Sequence, residues 1–325
     1  MTSPALPAEL KSALEQMLHG TARGDAAARA AVISETYRSG GTSAPIRSET
    51  DALAYAGARM PATYAAVAAC LNAMAELRPE FAPASLLDVG AGPGTASFAA
   101  AQAYGAPKSL TLLDANPALR ELALALAQQS RLAPDYRLGD ARKLLADAPA
   151  ADLVIASYVI NELGDADRDA FTDALWRKTN DTLLIVEPGT PAGYARILAA
   201  RDRLIAQGAR VVAPCPHENA CPLTAPDWCH FVQRLPRSKL HQQLKGAEVP
   251  FEDEKFSYVA LTRAALTVRP ARVLTQPEMS KVAINAKLCT PDGLRLTTVP
   301  RRDKAAYAKF RRLAWGDAVA LEGEP

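Results

Sequence analysis

Asp88 to Thr95 reads DVGAGPGT, three glycines spaced G-x-G-x-G behind a short apolar stretch. Leu86 to Val89 has the length and composition of a buried strand, and Thr95 to Tyr104 those of a helix. A glycine-rich turn between a strand and a helix lets a backbone approach a nucleotide-type ligand closely. The dinucleotide-binding fingerprint places its third glycine one position later, where this chain has Thr95. The loop therefore suits a ligand with no pyrophosphate to hold.

Strands and helices alternate outward from that loop. Leu110 to Leu113, Tyr136 to Leu138, Leu153 to Ser157 and Thr182 to Val186 read as further strands, with helical stretches between them. A helix over Ala192 to Ala206 leads to a strand at Ala209 to Ala213, and Phe256 to Leu261 closes the series. A closing pair of strands after five strand–helix units is the layout of methyltransferases rather than dehydrogenases. The expected fold is α/β, a Rossmann-like class I S-adenosylmethionine-dependent methyltransferase domain over residues 81–265. A helical region at 1–80 and a small β/basic element at 266–325 flank it.

In that frame Gly90, Gly92 and Gly94 line the S-adenosylmethionine site. Asp88 is placed to meet the ligand's amino group directly or through water. Asp114 ends the second strand, where a carboxylate accepts hydrogen bonds from both ribose hydroxyls. Asp140 follows the third strand, placed either to contact the adenine amino group or to cap the next helix. The segment after the fourth strand, Ser157 to Leu163 (SYVINEL), has no Asn/Asp-Pro-Pro-aromatic motif and no evident cysteine nucleophile. Asn161 and Glu162 either bind substrate or cap a helix, so no catalytic residue is assigned.

Hydrophobic residues make up 49% and charged residues 22% of the 325 positions, enough apolar side chain for a core of ordinary size. The formal net charge of +2 is too small to mark a nucleic-acid binder by itself. No apolar run approaches the roughly 18 residues needed to span a membrane. Glu9, Lys11 and Glu15 interrupt any secretory core, and with Asp25 they count against a transit peptide, so a cytoplasmic location is expected. Leu6, Leu10, Leu14 and Leu18 form one helix stripe. Tyr37 to Ile46 (YRSGGTSAPI) breaks the pattern, a helix resumes over Glu49 to Ala56 and stops at Gly57, and another starts at Pro61.

Cys215 to Cys221 (CPHENAC) and Asp227 to His230 (DWCH) place three thiols in a proline-punctuated loop at 213–231, with Cys289 far downstream. Such a loop suggests metal ligation, by zinc or by an iron–sulfur cluster. The spacing is wider than the C-x2-C of zinc ribbons, which favours a cluster. His217 and His230 are alternative ligands, read more simply as outward polar residues. Cys70 lies in an Ala-rich helix and reads as core.

The chain resembles the methyltransferase-like proteins associated with the mitochondrial small ribosomal subunit and their bacterial relatives. The matching stretches are Tyr55 to Tyr64 (YAGARMPATY), Leu87 to Thr95, Glu187 to Pro191 (EPGTP), Pro214 to His217 (PCPH), Cys221 to Leu223 (CPL), Asp227 to Phe231 (DWCHF) and Phe251 to Tyr258 (FEDEKFSY). The resemblance implies action on small-subunit rRNA or in assembly of that subunit, with rRNA and ribosomal proteins as partners. It also implies a 4Fe-4S cluster on Cys215, Cys221, Cys229 and Cys289, zinc being the alternative.

The tail adds separate support for RNA contact. Lys281 to Leu288 and Leu294 to Val299 flank a TPDG turn, and a helix follows over Lys304 to Leu313. Arg295, Arg301, Arg302, Lys304, Lys309, Arg311 and Arg312 face a single acid, Asp303, between Gly293 and Ala314. Such a run suits phosphate contacts. Arg234, Arg237, Lys239 and Lys245 form a second basic stretch near the cysteine loop.

Overall fold

A computed structural model describes residues 1–19, 23–39, 41–266 and 269–321. Three helices come first: α1 (Ala8–Met17), α2 (Arg23–Arg38) and α3 (Glu49–Leu77). The sheet then builds through β1 (Ser85–Val89), α4 (Thr95–Tyr104), β2 (Ser109–Asp114), α5 (Pro117–Gln129), β3 (Asp135–Leu138), α6 (Ala141–Asp147) and β4 (Ala151–Ser157). A 3-10 turn at Ile160–Glu162 precedes α7 (Asp165–Arg177), β5 (Thr179–Pro188), α8 (Pro191–Ile205) and β6 (Arg210–Ala213). After the cysteine loop come β7 (Phe231–Pro236), α9 (Lys239–Lys245) and β8 (Phe251–Thr262). The tail holds β9 (Ala271–Val273), β10 (Glu278–Met279), β11 (Ala283–Thr290), β12 (Gly293–Pro300), α10 (Lys304–Phe310) and β13 (Ala318–Val319).

The main sheet has the order β3-β2-β1-β4-β5-β8-β6, with β7 paired to β8. β1 to β5 run parallel, and β8 runs antiparallel between β5 and β6. This is the expected α/β fold, Rossmann-like with the reversed penultimate strand of class I methyltransferases. Chain order reverses between β1 and β4, and a sheet of this kind binds ligands at the carboxyl ends of its strands at that switch point. Alternating side chains fill both faces. Leu86, Leu110, Leu112 and Ile155 pack under α3, α4 and α5, while Leu87, Val89, Leu113 and Val154 pack on the α7–α8 side.

The helix expected to stop at Gly57 and restart at Pro61 is instead continuous. Ser48 and Asp51 close a capping box at its start, and Pro61 lies inside it. A proline there loses one backbone hydrogen bond, but Ala52, Ala54, Ala56, Ala62, Ala65 and Ala66 are wholly buried around it, and that burial outweighs the local signal. Gly57 serves packing rather than termination, because a methyl there would run into Leu244 of α9. Gly40, in the break before this helix, lies outside the described residues.

β11 and β12 form the predicted hairpin, with Thr290 opposite Gly293. They belong to a second sheet of order β10-β11-β9-β13, β12 lying on β11, over a core of Val273, Ile284, Leu288, Val299 and Phe310. β7 and the short strands β9, β10 and β13 were absent from the sequence expectation. Among the described residues, no helix is long and apolar enough to cross a membrane.

Candidate functional site

The glycine loop turns left-handed at Gly90 (φ 70°), Gly92 (φ 53°) and Gly94 (φ 79°), backbone that side chains rarely tolerate. A Cβ on Gly90 would also stand 2.5 Å from Val159 Cγ2. Asp114 holds the loop: its Oδ2 accepts from Gly92 N at 2.9 Å and its Oδ1 from Asn116 N at 2.8 Å. An ionised carboxylate has about four acceptor positions, so roughly two remain for a ligand. Burial raises the Asp114 carboxyl above its ordinary range against these bonds.

A cavity of about 1020 Å³ opens over the loop, lined by Gly90, Gly92, Asp114 and Asp140 among others. Asp88 lies behind the loop, fully buried, with Oδ2 accepting from Ser97 N (3.1 Å) and Ser97 Oγ (2.7 Å). Its Oδ1 has no partner, and burial pushes its pKa up to about 7. Asp140 caps α6 through Arg142 N (2.9 Å), and its hydrogen bond to the Arg142 side chain lowers its pKa. Its place on the cavity wall leaves the adenine contact open to it as well.

Part of the cavity wall comes from the N-terminal helices, a contribution that sequence reasoning missed. Tyr37 of α2 and Tyr55 of α3 face each other with ring centroids 5.8 Å apart, and Arg59 follows Tyr55 by one helical turn on the same wall. The signal was available in YAGARMPATY, whose Tyr55 and Arg59 share one helix face at i, i+4. Arg59 bonds Glu254 of β8 at 3.1 Å, and the Tyr158 hydroxyl donates to the same oxygen at 2.9 Å. Tyr158 follows β4 with φ 58°, a conformation that costs a non-glycine residue roughly 1–3 kcal/mol and concentrates at functional sites.

Beyond Tyr158, Asn161 N donates to Glu187 Oε1 at 3.3 Å, and Arg196 bonds Glu187 Oε2 at 2.6 Å. Asn161 Oδ1 is buried without a partner. Glu162 also lines the cavity, where burial and the charges of Asp114 and Glu187 raise its pKa to about 8. Its folded value thus lies above the ordinary 4.5, so the folded chain keeps a proton that the unfolded chain releases. That contribution to stability is complete below about pH 4.5 and is lost as pH rises through about 8. Glu162→Gln is therefore expected to gain stability relative to the parent between about pH 5 and 8. Urea denaturation across that range checks this; a pH-independent difference would contradict the burial of an uncompensated carboxyl.

The fold sets the four downstream cysteines near enough for their charges to interact. Burial raises the Cys229 thiol, and charge on Cys215, Cys221 or Cys289 raises it further. Burial, then Cys215 and Cys221, push Cys289 up to about 12. Cys215, Cys221 and Cys229 belong to the β6–β7 connection, while Cys289 comes from β11 of the second sheet. Among the described residues no three His, Cys, Asp or Glu side chains are grouped so as to hold one metal ion. His217 is 6% exposed, not outward as expected, and its Nε2 lies 3.5 Å from Cys289 Sγ. His230 stacks on Trp228 at 4.8 Å and meets the edge of Trp315 at 4.7 Å. Cys70 is fully buried in α3.

The seven basic residues of the tail are all exposed, and among the described residues none has an ion-pair partner. The second basic stretch differs. Arg234 pairs with Asp253, and Arg237 and Lys245 pair with Glu252, all across the β7–β8 region. It is largely neutralised rather than a free cationic surface.

A sequence model of the family described as mitochondrial small ribosomal subunit Rsm22 matches residues 49–320. The human mitochondrial ribosome assembly protein METTL17 is 32% identical over 291 residues, covering 83% of this chain and 62% of that protein. The fission yeast mitochondrial Rsm22-cox11 tandem proteins are 25% identical over 344 residues, covering 87% of this chain and 46% of theirs. The chain thus spans less than two thirds of these relatives. Among solved structures, magnesium protoporphyrin IX methyltransferase of Synechocystis with bound S-adenosylmethionine aligns with a TM-score of 0.40 and 18% identity, over 62% of this chain and 78% of that one. The fold assignment rests on strand order, not on that likeness. The cytoplasmic location read from the N-terminus is overturned, because the family and these relatives are mitochondrial by name. With the match running from α3 to the last strand, through both the glycine loop and the cysteine site, the chain belongs to the mitochondrial small ribosomal subunit Rsm22 family.

Proposed function

We propose that this is an S-adenosylmethionine-binding, methyltransferase-like protein that acts on small-subunit rRNA or in small ribosomal subunit assembly. The observation that carries the ligand is Asp114, fixed by Gly92 N and Asn116 N at the strand end beside the cavity. Its free acceptor positions suit a ribose diol. Asp114→Ala should weaken S-adenosylmethionine by about 1–3 kcal/mol, roughly 5- to 150-fold, for two lost hydrogen bonds. Calorimetry showing unchanged affinity would remove Asp114 from the site.

Cys215, Cys221, Cys229 and Cys289 are the ligands proposed for a 4Fe-4S cluster. Thiolates that neighbour one another without meeting at one point suit a cluster, with one thiolate per iron, better than a single zinc. When bound, the group supplies a cross-link between the two sheets and one-electron chemistry. Arg295, Arg301, Arg302, Lys304, Lys309, Arg311 and Arg312, exposed and among the described residues without carboxylate partners, are the proposed rRNA contacts, with ribosomal proteins as neighbours.

A second reading is a non-catalytic rRNA-binding assembly factor. The segment Ser157 to Leu163 favours it, because it carries neither an Asn/Asp-Pro-Pro-aromatic motif nor a cysteine nucleophile. Mass spectrometry of small-subunit rRNA with and without the gene separates the two. A methyl group missing from the deletion supports the enzyme; an unchanged pattern with a subunit-assembly defect supports the assembly factor.

A further inference from the structure

Arg272, on β9, is 2% exposed and among the described residues has no carboxylate partner. Its guanidinium donates to Pro214 O (3.2 Å) and Gly316 O (2.8 Å), beside the cysteine loop. Arg201, on α8, is equally buried and donates to His217 O and Asn219 O at 2.8 Å each. Among the described residues its one carboxylate partner is Asp202, half exposed, and its Nε–H has no acceptor. A buried cation with so little compensation costs several kcal/mol unless negative charge lies nearby. Both guanidinium ions are held on carbonyls of the cysteine loop, Arg272 on the one a residue before Cys215 and Arg201 on those two and four residues after it.

Hydrogen-bond donors accompany the charges. The Tyr194 hydroxyl, about two turns before Arg201 on the same face of α8, donates to Cys221 Sγ at 3.1 Å. His217 Nε2 stands 3.5 Å from Cys289 Sγ. A thiol needs neither a donor nor a counter-charge, whereas a thiolate gains from both.

We propose that Tyr194, Arg201, His217 and Arg272 are positioning residues that hold the cysteine site as an anionic thiolate centre and raise the reduction potential of the group it binds. The inference rests on the reading that the four cysteines ligate one metal group. Donors and cations stabilise the state carrying one more electron, so the bound group takes an electron from a reductant more readily than it would in a bare apolar pocket.

The test uses the full chain purified anaerobically and reduced stepwise with dithionite, followed by absorbance. Tyr194→Phe keeps the ring and the iron, but at the parent's midpoint its reduced-to-oxidised ratio should fall about tenfold, a shift of about 59 mV for one electron. Tyr104→Phe, which removes a buried hydroxyl with no partner, should shift nothing. Iron bound with an unchanged midpoint in Tyr194→Phe would overturn the positioning role. An equal shift in Tyr104→Phe would do the same. Anaerobic protein that binds no iron would defeat the cysteine reading itself, and the positioning role with it.

Discussion

Replacing Cys289 by serine is expected to take anaerobically purified protein from about four irons per chain to almost none, with loss of its broad absorbance near roughly 400 nm. The effect is large because the other three sulfurs share one loop, whereas Cys289 enters from β11, opposite Leu294 of β12 and Arg272 of β9. On the proposed ligand set it would carry the ligation from the main sheet to the second one. Metal binding through thiolates is coupled to folding, so Cys289→Ser should also loosen that junction and speed proteolysis between residues 262 and 271. Cys70→Ser, in the core of α3, should change neither colour nor metal. Colourless anaerobic parent protein holding one tight zinc would reject the cluster and keep the ligand set.

The second large effect is on RNA. Arg301, Arg302, Arg311 and Arg312 are exposed and, among the described residues, without ion-pair partners, so alanine at all four should leave the fold intact. Each phosphate contact contributes about 0.7–0.9 to the slope of log affinity against log salt. Four lost contacts would flatten that slope by about 3 and weaken rRNA binding up to roughly a thousandfold at 0.1 M salt. Arg234→Ala and Arg237→Ala should do far less, because those guanidinium groups already face Asp253 and Glu252. An unchanged slope in the quadruple variant would leave the tail as solvated surface.

The order of strands and helices from β1 to β6 was legible because its signals are local. Each buried strand is an apolar run, each connection a glycine or proline punctuation, and the loop at Gly90 to Gly94 needs left-handed backbone in any fold that uses it. The hairpin was legible for the same reason, from TPDG between two alternating stretches. α3 was misread because Gly57 and Pro61 are strong local signals whose effect was outweighed by burial on nearly every side of the helix. β9, β10 and β13 are two or three residues long, too short for any periodicity, and exist through their pairing.

By itself, then, the sequence determined the α/β fold class, the glycine loop with Asp114 at the next strand end, and a loop rich in thiols, since each depends on neighbours a few residues apart. Only the tertiary structure decided the rest. It set Tyr37, Tyr55 and Arg59 on the wall of the cavity that Asp114 also lines, neutralised one basic stretch with β8 carboxylates while leaving the other, among the described residues, without carboxylate partners, and buried His217 against Cys289. It also buried two arginines, Arg201 and Arg272, against carbonyls of the cysteine loop. Those contacts join residues 15 to 72 positions apart, and the electrostatics of a buried group depend on what surrounds it in space, which no local pattern along the chain records.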